Sequence, residues 1–332
     1  MKQSRKTIIM LGDINVDNIW PVPSIPQPGR DGLVDSVKME IGGAILNSTI
    51  VLDGLGEWTI MLGCVGEDMW ADHIRQALTK TRIDLNALQI TNAANTGLDF
   101  ILVTPDGERT MFGYRGANKL LDSKKIDASI FQGASLLHIS GYALLEPPQN
   151  EAALRAVELA AENDIPVSID TGLEPVIRNS EAFLEILPAM EICISGVAEV
   201  DHLSGAKSPQ EAAEKLIAAG VNLAAIKLGK DGSLLMSANE SVRCPIFKVN
   251  SIDTTGAGDA YSAGILYGYQ QGLTLGATGM LASGLGALAT TVDGAGFALP
   301  GKEELIYFLK DTIWPETPGI EKIRTELINH FG

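Results

Sequence analysis

The chain has 332 residues, 45% of them hydrophobic and 5% aromatic, with a formal charge of −16 at pH 7 and a pI near 4.7. Length and apolar content suffice for one large core, and a Gly-, Ala-, Leu- and Ile-rich mixture poor in aromatics suits helices packed on a sheet rather than a β-sandwich. So acidic a surface repels phosphate backbones and argues against a nucleic-acid partner.

From the N-terminus, "MKQSRKTIIMLGDINV" has a basic opening but too short an apolar stretch before Asp13 for a signal peptide, and no later run reaches membrane-spanning length. The expectation is a soluble, cytoplasmic protein with no membrane partner. "TIIMLG" reads as a strand, "GAILNSTIVLDGLG" as a helix ended by Gly54 or Gly56, "TIMLGCVG" as one strand and "DMWADHIRQALTK" as a helix. Further on, "ASLLHISG", "IPVSID", "MEICIS" and "LAAIKLG" look like buried strands, separated by the amphipathic stretches "NEAALRAVELAAEND" and "SPQEAAEKLIAAG". That rhythm predicts a mostly parallel sheet with helices on both faces.

Two stretches interrupt it. Residues 14–40 carry four prolines among alternating apolar residues, and residues 96–115 read as two strands joined by a "PDGE" turn. Both look antiparallel, and they are expected to meet as a small sheet flanking the main domain. The three cysteines, Cys64, Cys193 and Cys244, are never paired as CxxC and read as buried thiols; the four histidines show no metal-ligand spacing. "GFALPGKE" (296–303) mimics the opening of a Walker A loop, but Glu303 stands where Ser or Thr should be and Pro300 removes an N–H. It reads as a loop and helix cap.

"NSIDTTGAGDAYSAG" (250–264) carries the chemistry. After a strand-like "CPIFKVN" and before a helical run, its glycines fall at a helix start, where N–H groups are unpaired and the dipole favours an anion. Gly256, Ala257 and Gly258 are therefore candidates for an anion hole. Asp259, in the first turn, is unhelpful for simple anion binding; it makes sense as the acceptor of a proton from an attacking hydroxyl while the amides stabilise a transferring phosphoryl group. The bland alternative is an acidic residue favoured by the helix dipole in an ordinary glycine turn.

"DTTGAGDAYSAG" resembles the C-terminal signature of the ribokinase-like (PfkB) carbohydrate kinases. Companion features run from about residue 7 to residue 311: "LGDINVDNI", "IGGAILNST", "GERTMFGYRGAN" and "IKLGKDGSLL". The resemblance implies an α/β, ribokinase-like three-layer α/β/α sandwich with a mostly parallel central sheet and a small β-sheet lid. The main domain would comprise 1–13, 41–95 and 117–332, the lid 14–40 and 96–116. It implies an ATP- and Mg²⁺-dependent phosphotransferase acting on a hydroxyl of a small sugar-like substrate, with Asp259 as base. Asn15, Asp17, Gly42, Gly43 and Asn47 would hold substrate, joined by Arg115 if it reaches an acidic or phosphorylated substrate and does not stand solvated on the lid. Lys227, Gly229, Gly232, Thr254 and Ser283 would bind nucleotide, and Glu199 would support Mg²⁺ indirectly. Gly196 replaces the usual asparagine of an N-x-x-E motif, and Ala44 replaces a lysine common in ribose-specific members. "TTVDGAGF" (290–297) resembles a loop that, with Asp253 and Thr255, forms a K⁺ site in some relatives; two packed glycine turns are the alternative. The lid could pair into a homodimer. A nucleoside kinase would share the base and need apolar lid surface, for which Ile19, Trp20, Phe112 and Tyr114 are candidates; a non-catalytic sugar sensor should show a broken anion hole, and none is seen.

Overall fold

A computed structural model describes residues 6–105 and 109–332, with Arg109 described by its backbone alone. The turn expected after Pro105 thus lies, from residue 106 on, outside the described residues. Nine strands form the main sheet: β1 (Thr7–Leu11), β4 (Trp58–Leu62), β6 (Ile83–Asp84), β10 (Ala134–Ser140), β11 (Val167–Asp170), β12 (Ile192–Gly196), β13 (Leu223–Lys227), β14 (Ser233–Ser237) and β15 (Ser241–Cys244), in the order β15-β14-β13-β12-β11-β10-β1-β4-β6. All pairings from β13 to β6 are parallel, and β14 and β15 extend the edge antiparallel.

Strand alternation builds the two covering layers. Ile8 and Met10 of β1 join a cluster with α1 (Ala44–Gly54), α2 (Met69–Leu78), α8 (Ala257–Gln271), α9 (Leu275–Ala289), α10 (Lys302–Asp311) and α11 (Ile320–Phe331). Ile9 and Leu11 point the other way, onto α3 (Gln149–Glu162), α5 (Ser180–Ile186), α6 (Val197–Ser204) and α7 (Pro209–Ala218), with α4 (Leu173–Arg178) contributing Val176. The three-layer α/β/α arrangement is as expected. The three cysteines are buried and free, and no helix of the described residues is long and apolar enough to cross a membrane.

The small sheet takes β2 (Asn15–Pro21), β3 (Lys38–Gly42), β8 (Gly97–Val103) and β9 (Arg109–Tyr114) in the order β3-β2-β8-β9. Its two outer pairings are antiparallel, but the junction β2–β8 is parallel, unlike the all-antiparallel expectation. Each segment returns on itself locally, whereas the partner across the junction arrives from elsewhere in the chain.

Two strand expectations are corrected. "TIMLGCVG" is not one strand: the chain turns at Gly63, where a Cβ would stand 2.9 Å from Ile14 and 3.0 Å from the Gly12 carbonyl. The following β5 (Cys64–Gly66) pairs instead with β7 (Gln89–Thr91) in a separate ribbon. "CPIFKVN" is not a strand either. β15 ends at Cys244, because Pro245 has no N–H to extend the ladder. The Walker-like stretch is a short turn at Gly296–Ala298 followed by Gly301 as the N-cap of α10.

Candidate functional site

The parallel strands β10, β11, β12 and β13 end on one edge of the sheet, placing Ser140, Asp170, Gly196 and Lys227 there. Ligands of open α/β sheets bind outside such carboxyl ends. A cavity of about 160 Å³ lies at this edge, lined among others by His138, Asp170, Glu199, Lys227 and Asp259. Beside it is one of about 560 Å³ that includes Lys227, Gly229, Gly232, Thr254 and Ser283 in its lining. All five residues expected to bind nucleotide thus share one cavity. Lys230 and Lys248 join them, and no carboxylate lines it among the described residues.

The glycine run performs a sharp entry into α8. Gly256 is the N-cap, at φ 71, a left-handed conformation that costs glycine nothing and strains other residues. Gly258 is exposed, while the Ala257 N–H already bonds the Thr254 carbonyl at 3.3 Å. One of the three expected anion-hole donors is therefore engaged within the chain. Asp259 follows, and Asn47 of α1 donates from Nδ2 to its Oδ2 at 2.7 Å. Gly296 N–H donates to Asn47 Oδ1 at 3.1 Å, and Ser48 Oγ donates to the Asp259 carbonyl at 3.0 Å. Desolvation pushes the Asp259 carboxyl up to about 6; Asn47 opposes the rise, Asp170 adds to it and Lys227 opposes it. Asn47 thus contacts the candidate base directly.

The acidic position Glu199 is pinned through Oε2, which accepts from Thr171 Oγ1 at 2.9 Å, Ser195 Oγ at 3.2 Å and the Gly196 N–H. Gly196, where an asparagine was expected, contributes its N–H instead of a side chain.

Asp17 on β2 is 6% exposed, and its Oδ1 has no hydrogen-bond partner. Its other oxygen presses on Gly42, where a Cβ would stand 2.2 Å away. Burial, followed by the charges of Asp99, Glu40 and Asp259, raises its carboxyl to about 7. Asn15 Nδ2 donates to Asp99 Oδ2 at 2.7 Å, and Asn118 Nδ2 to Asn15 Oδ1 at 2.8 Å. Gly43, at φ 94, is the N-cap of α1, where a Cβ would meet the Asp13 carbonyl at 2.6 Å.

Arg115 is not a solvated lid arginine. It grips Asp13 at 2.8 and 3.1 Å, Glu146 at 3.2 Å, the Tyr142 carbonyl at 2.9 Å, and Gln149. These chain acceptors hold the guanidinium at the junction of small sheet and main domain. The aromatics offered as a base-binding surface are also misplaced. Trp20, Phe112 and Tyr114 lie in the cross-strand rows of Val16, Leu98 and Phe100, with Trp20 on the Phe100 ring at 5.4 Å, so alternation turns them away from the Asp17 face. Of the four, Ile19 shares the face of Asp17.

At the possible cation loop, Asp253 Oδ1 accepts from the Thr255 N–H (2.8 Å) and Oγ1 (2.7 Å), and Oδ2 from the Gly294 N–H (2.9 Å). The Thr290 carbonyl accepts from Ile252 and Asp253. The two glycine turns are clasped by the chain's own groups.

Sequence reasoning missed Asp170, Ser262 and His138. Lys227 Nζ bonds both Asp170 oxygens at 3.0 and 2.9 Å, and Ser262 Oγ reaches Asp170 Oδ2 at 2.6 Å. Burial lowers His138 to about 4, leaving it neutral with Nδ1 2.8 Å from Ser168 Oγ. A signal existed for two of them: Asp170 closes an expected strand, and Ser262 follows Asp259 by one helical turn.

A family model described as pfkB family carbohydrate kinase matches residues 5–302. A ribokinase of Haemophilus influenzae is 26% identical over 317 residues, covering 92% of this chain and 99% of its own. Fructokinase-1 of Zea mays is 26% identical over 325 residues, covering 93% and 99%. Among solved structures, an aminoimidazole riboside kinase from Salmonella enterica, complexed with aminoimidazole riboside and an ATP analogue, superposes with a TM-score of 0.77 at 25% identity, over 92% of this chain and all of its own. The chain belongs to the pfkB family of carbohydrate kinases, phosphotransferases that act on a hydroxyl group.

Proposed function

We propose that the protein transfers the γ-phosphoryl group of ATP to a hydroxyl of a sugar or sugar derivative, with Asp259 as general base. The observation that carries this reading is the placement of Asp259: a recessed carboxylate raised to about 6, oriented by Asn47, one residue beyond the exposed Gly258 at the start of α8. A base with that affinity for protons is largely ionised at neutral pH and still takes a proton from an attacking hydroxyl. Backbone N–H groups of the first α8 turn then face the charge on the phosphoryl group.

ATP fits the 560 Å³ cavity, whose three lysines suit a polyphosphate. Mg²⁺ would be supported indirectly by Glu199 on the neighbouring acidic wall and would neutralise phosphate charge, since both Asp170 oxygens are already taken by Lys227. Asp17, with an unpaired buried oxygen, and Asp99 would accept hydrogen bonds from substrate hydroxyls. The sugar reading is preferred over a nucleoside on aromatic grounds: Trp20, Phe112 and Tyr114 face away from Asp17, and the apolar surface on its own face is that of Ile19, Ile101 and Met111. That outward face, with Phe112 65% and Met39 51% exposed, supports a homodimer through the lid; light scattering showing a monomer would remove it. K⁺ is not needed to hold the Asp253 clasp, and activity unchanged across a K⁺ titration would dismiss the cation.

The deciding experiment is a panel of ribose, fructose, 2-keto-3-deoxygluconate, fructose phosphates and nucleosides with MgATP. Phosphorylation of a sugar is the expected result. Transfer to none, or to nucleosides alone, refutes the reading.

A further inference from the structure

Lys227 ends β13 and lines both cavities, so its ammonium stands on the wall between them. It lies 3.9 Å from the point a Cβ on Gly258 would occupy, against the first turn of α8. Asp170 chelates it with both oxygens, and Ser262, from the same helix as Asp259, fixes Asp170 Oδ2 from the other side while lying 3.0 Å from the Gly258 carbonyl. Backbone, cation and base are thus tied into one unit.

The charges around it are uneven. Asp170, Glu199 and Asp259 line the smaller cavity, and Lys227 is the one lysine or arginine among the described residues that line it. An ion pair recessed from water is a poor device for stability alone, since apolar residues of like volume commonly serve as well. Its value lies in what passes it. A phosphoryl group moving from the 560 Å³ cavity toward a hydroxyl at Asp259 must travel by Gly258, and hence by the Lys227 ammonium.

We infer that Lys227 is a further catalytic residue, whose ammonium contacts the phosphoryl oxygens during transfer, with Asp170 and Ser262 as positioning residues; this rests on the kinase reading of the same site. In that step the acceptor oxygen bonds to the γ-phosphorus as the bond to the β,γ-bridging oxygen breaks. ADP leaves with the electron pair, the hydroxyl proton passes to Asp259, and Lys227 keeps all of its protons. Charge spread over the three equatorial oxygens meets a fixed cation that requires no reorganisation.

The test compares wild type with K227M. Because K227M leaves Asp170 without its cation, D170N/K227M is measured alongside, with thermal melts of all three. Loss of one such preorganised group typically costs about 10²–10³-fold in kcat, and that drop is expected here with the sugar KM changed only a few-fold. The second readout is calorimetric binding of MgADP with and without aluminium fluoride, a mimic of the group in transfer, in the presence of ribose and of fructose in parallel. Wild type should tighten on adding fluoride, and both variants should lose that tightening, a loss beyond whatever weakening of MgADP alone follows from removing a lysine of the nucleotide cavity. Variants that retain it, or that change only in melting temperature, overturn the role of Lys227. A wild type that shows no tightening with either sugar, and no phosphorylation in the panel, overturns the kinase reading and this inference with it.

Discussion

Replacing Asp17 with asparagine should make the protein more stable, and increasingly so as pH rises. In the folded chain the Asp17 carboxyl keeps its proton up to about 7, against an ordinary 3.8, because it is desolvated and faces Asp99, Glu40 and Asp259. Between these two values the folded state binds more protons than the unfolded one. The associated stability is fully present below pH 4 and lost as pH climbs through 7. A displacement from 3.8 to about 7 corresponds to roughly 4 kcal/mol in total, at 1.36 kcal/mol per pH unit. About 3 kcal/mol of it should disappear between pH 5 and pH 8. The substituted amide has no charge to desolvate, so denaturant unfolding at the two pH values should show the D17N advantage growing by about that amount. Relieving the neighbours should act in the same direction: D99N lowers the Asp17 pKa and shrinks the pH dependence. A D17N advantage that is the same at pH 5 and pH 8 would show that Asp17 is solvated or paired, and the reading of its unpaired oxygen would fail.

At Asp259, kcat/KM should rise with pH through about 6, because the base acts only when ionised. D259N should lose about 10²–10⁴-fold in kcat while still binding MgADP; activity within a few-fold of wild type would remove Asp259 from the mechanism. R115M leaves Asp13, 7% exposed, without its guanidinium. It should cost about 3 kcal/mol of stability, read by chemical unfolding, with the D13N/R115M double variant recovering part of the loss; a neutral R115M would mean that the network is decorative.

What could be read ahead of the structure was whatever the chain writes locally. The turn into α8 is contained in Gly256, Ala257, Gly258 and Asp259, and the strands β10 to β13 announce themselves as apolar runs. The partners of those strand ends are different. Lys227 meets Asp170 across 57 residues and Ser262 meets Asp170 across 92, so no spacing rule joins them. The face shown by Trp20, Phe112 and Tyr114 depends on register, and the parallel junction of β2 with β8 is decided by where two distant segments enter the sheet. Arg115 looked solvated because its acceptors come from four places: Asp13 after β1, Tyr142, Glu146 and Gln149. A single glycine, Gly63, and a single proline, Pro245, were enough to end strands that apolar patterning would have continued.

A chain with 41 acidic and 25 basic residues must still accept a polyanionic nucleotide. It does so by sorting charge over a short path. Three lysines and no described carboxylate line the larger cavity; one lysine faces three carboxylates in the smaller; around Asp17 the charges that bear on its carboxyl, those of Asp99, Glu40 and Asp259, are all acidic. In the proposed reaction the phosphoryl group therefore moves out of a cationic region toward an acidic one. The cost of placing it there is felt by the product and not by the neutral sugar, because only the product carries the new anion. Mutual repulsion between a sugar phosphate and Asp99, joined by Asp17 once it ionises, favours release, and the same field disfavours substrates that arrive already charged; Glu40 weighs less because Lys38 pairs with it. Neutral sugars should accordingly lead the panel over fructose phosphates and 2-keto-3-deoxygluconate, and D17N/D99N should narrow that margin by relaxing the field. A phosphorylated or acidic sugar that outperforms every neutral one would show that Lys38, which pairs with Glu40 at 2.6 Å, and not the carboxylates sets the field at this site.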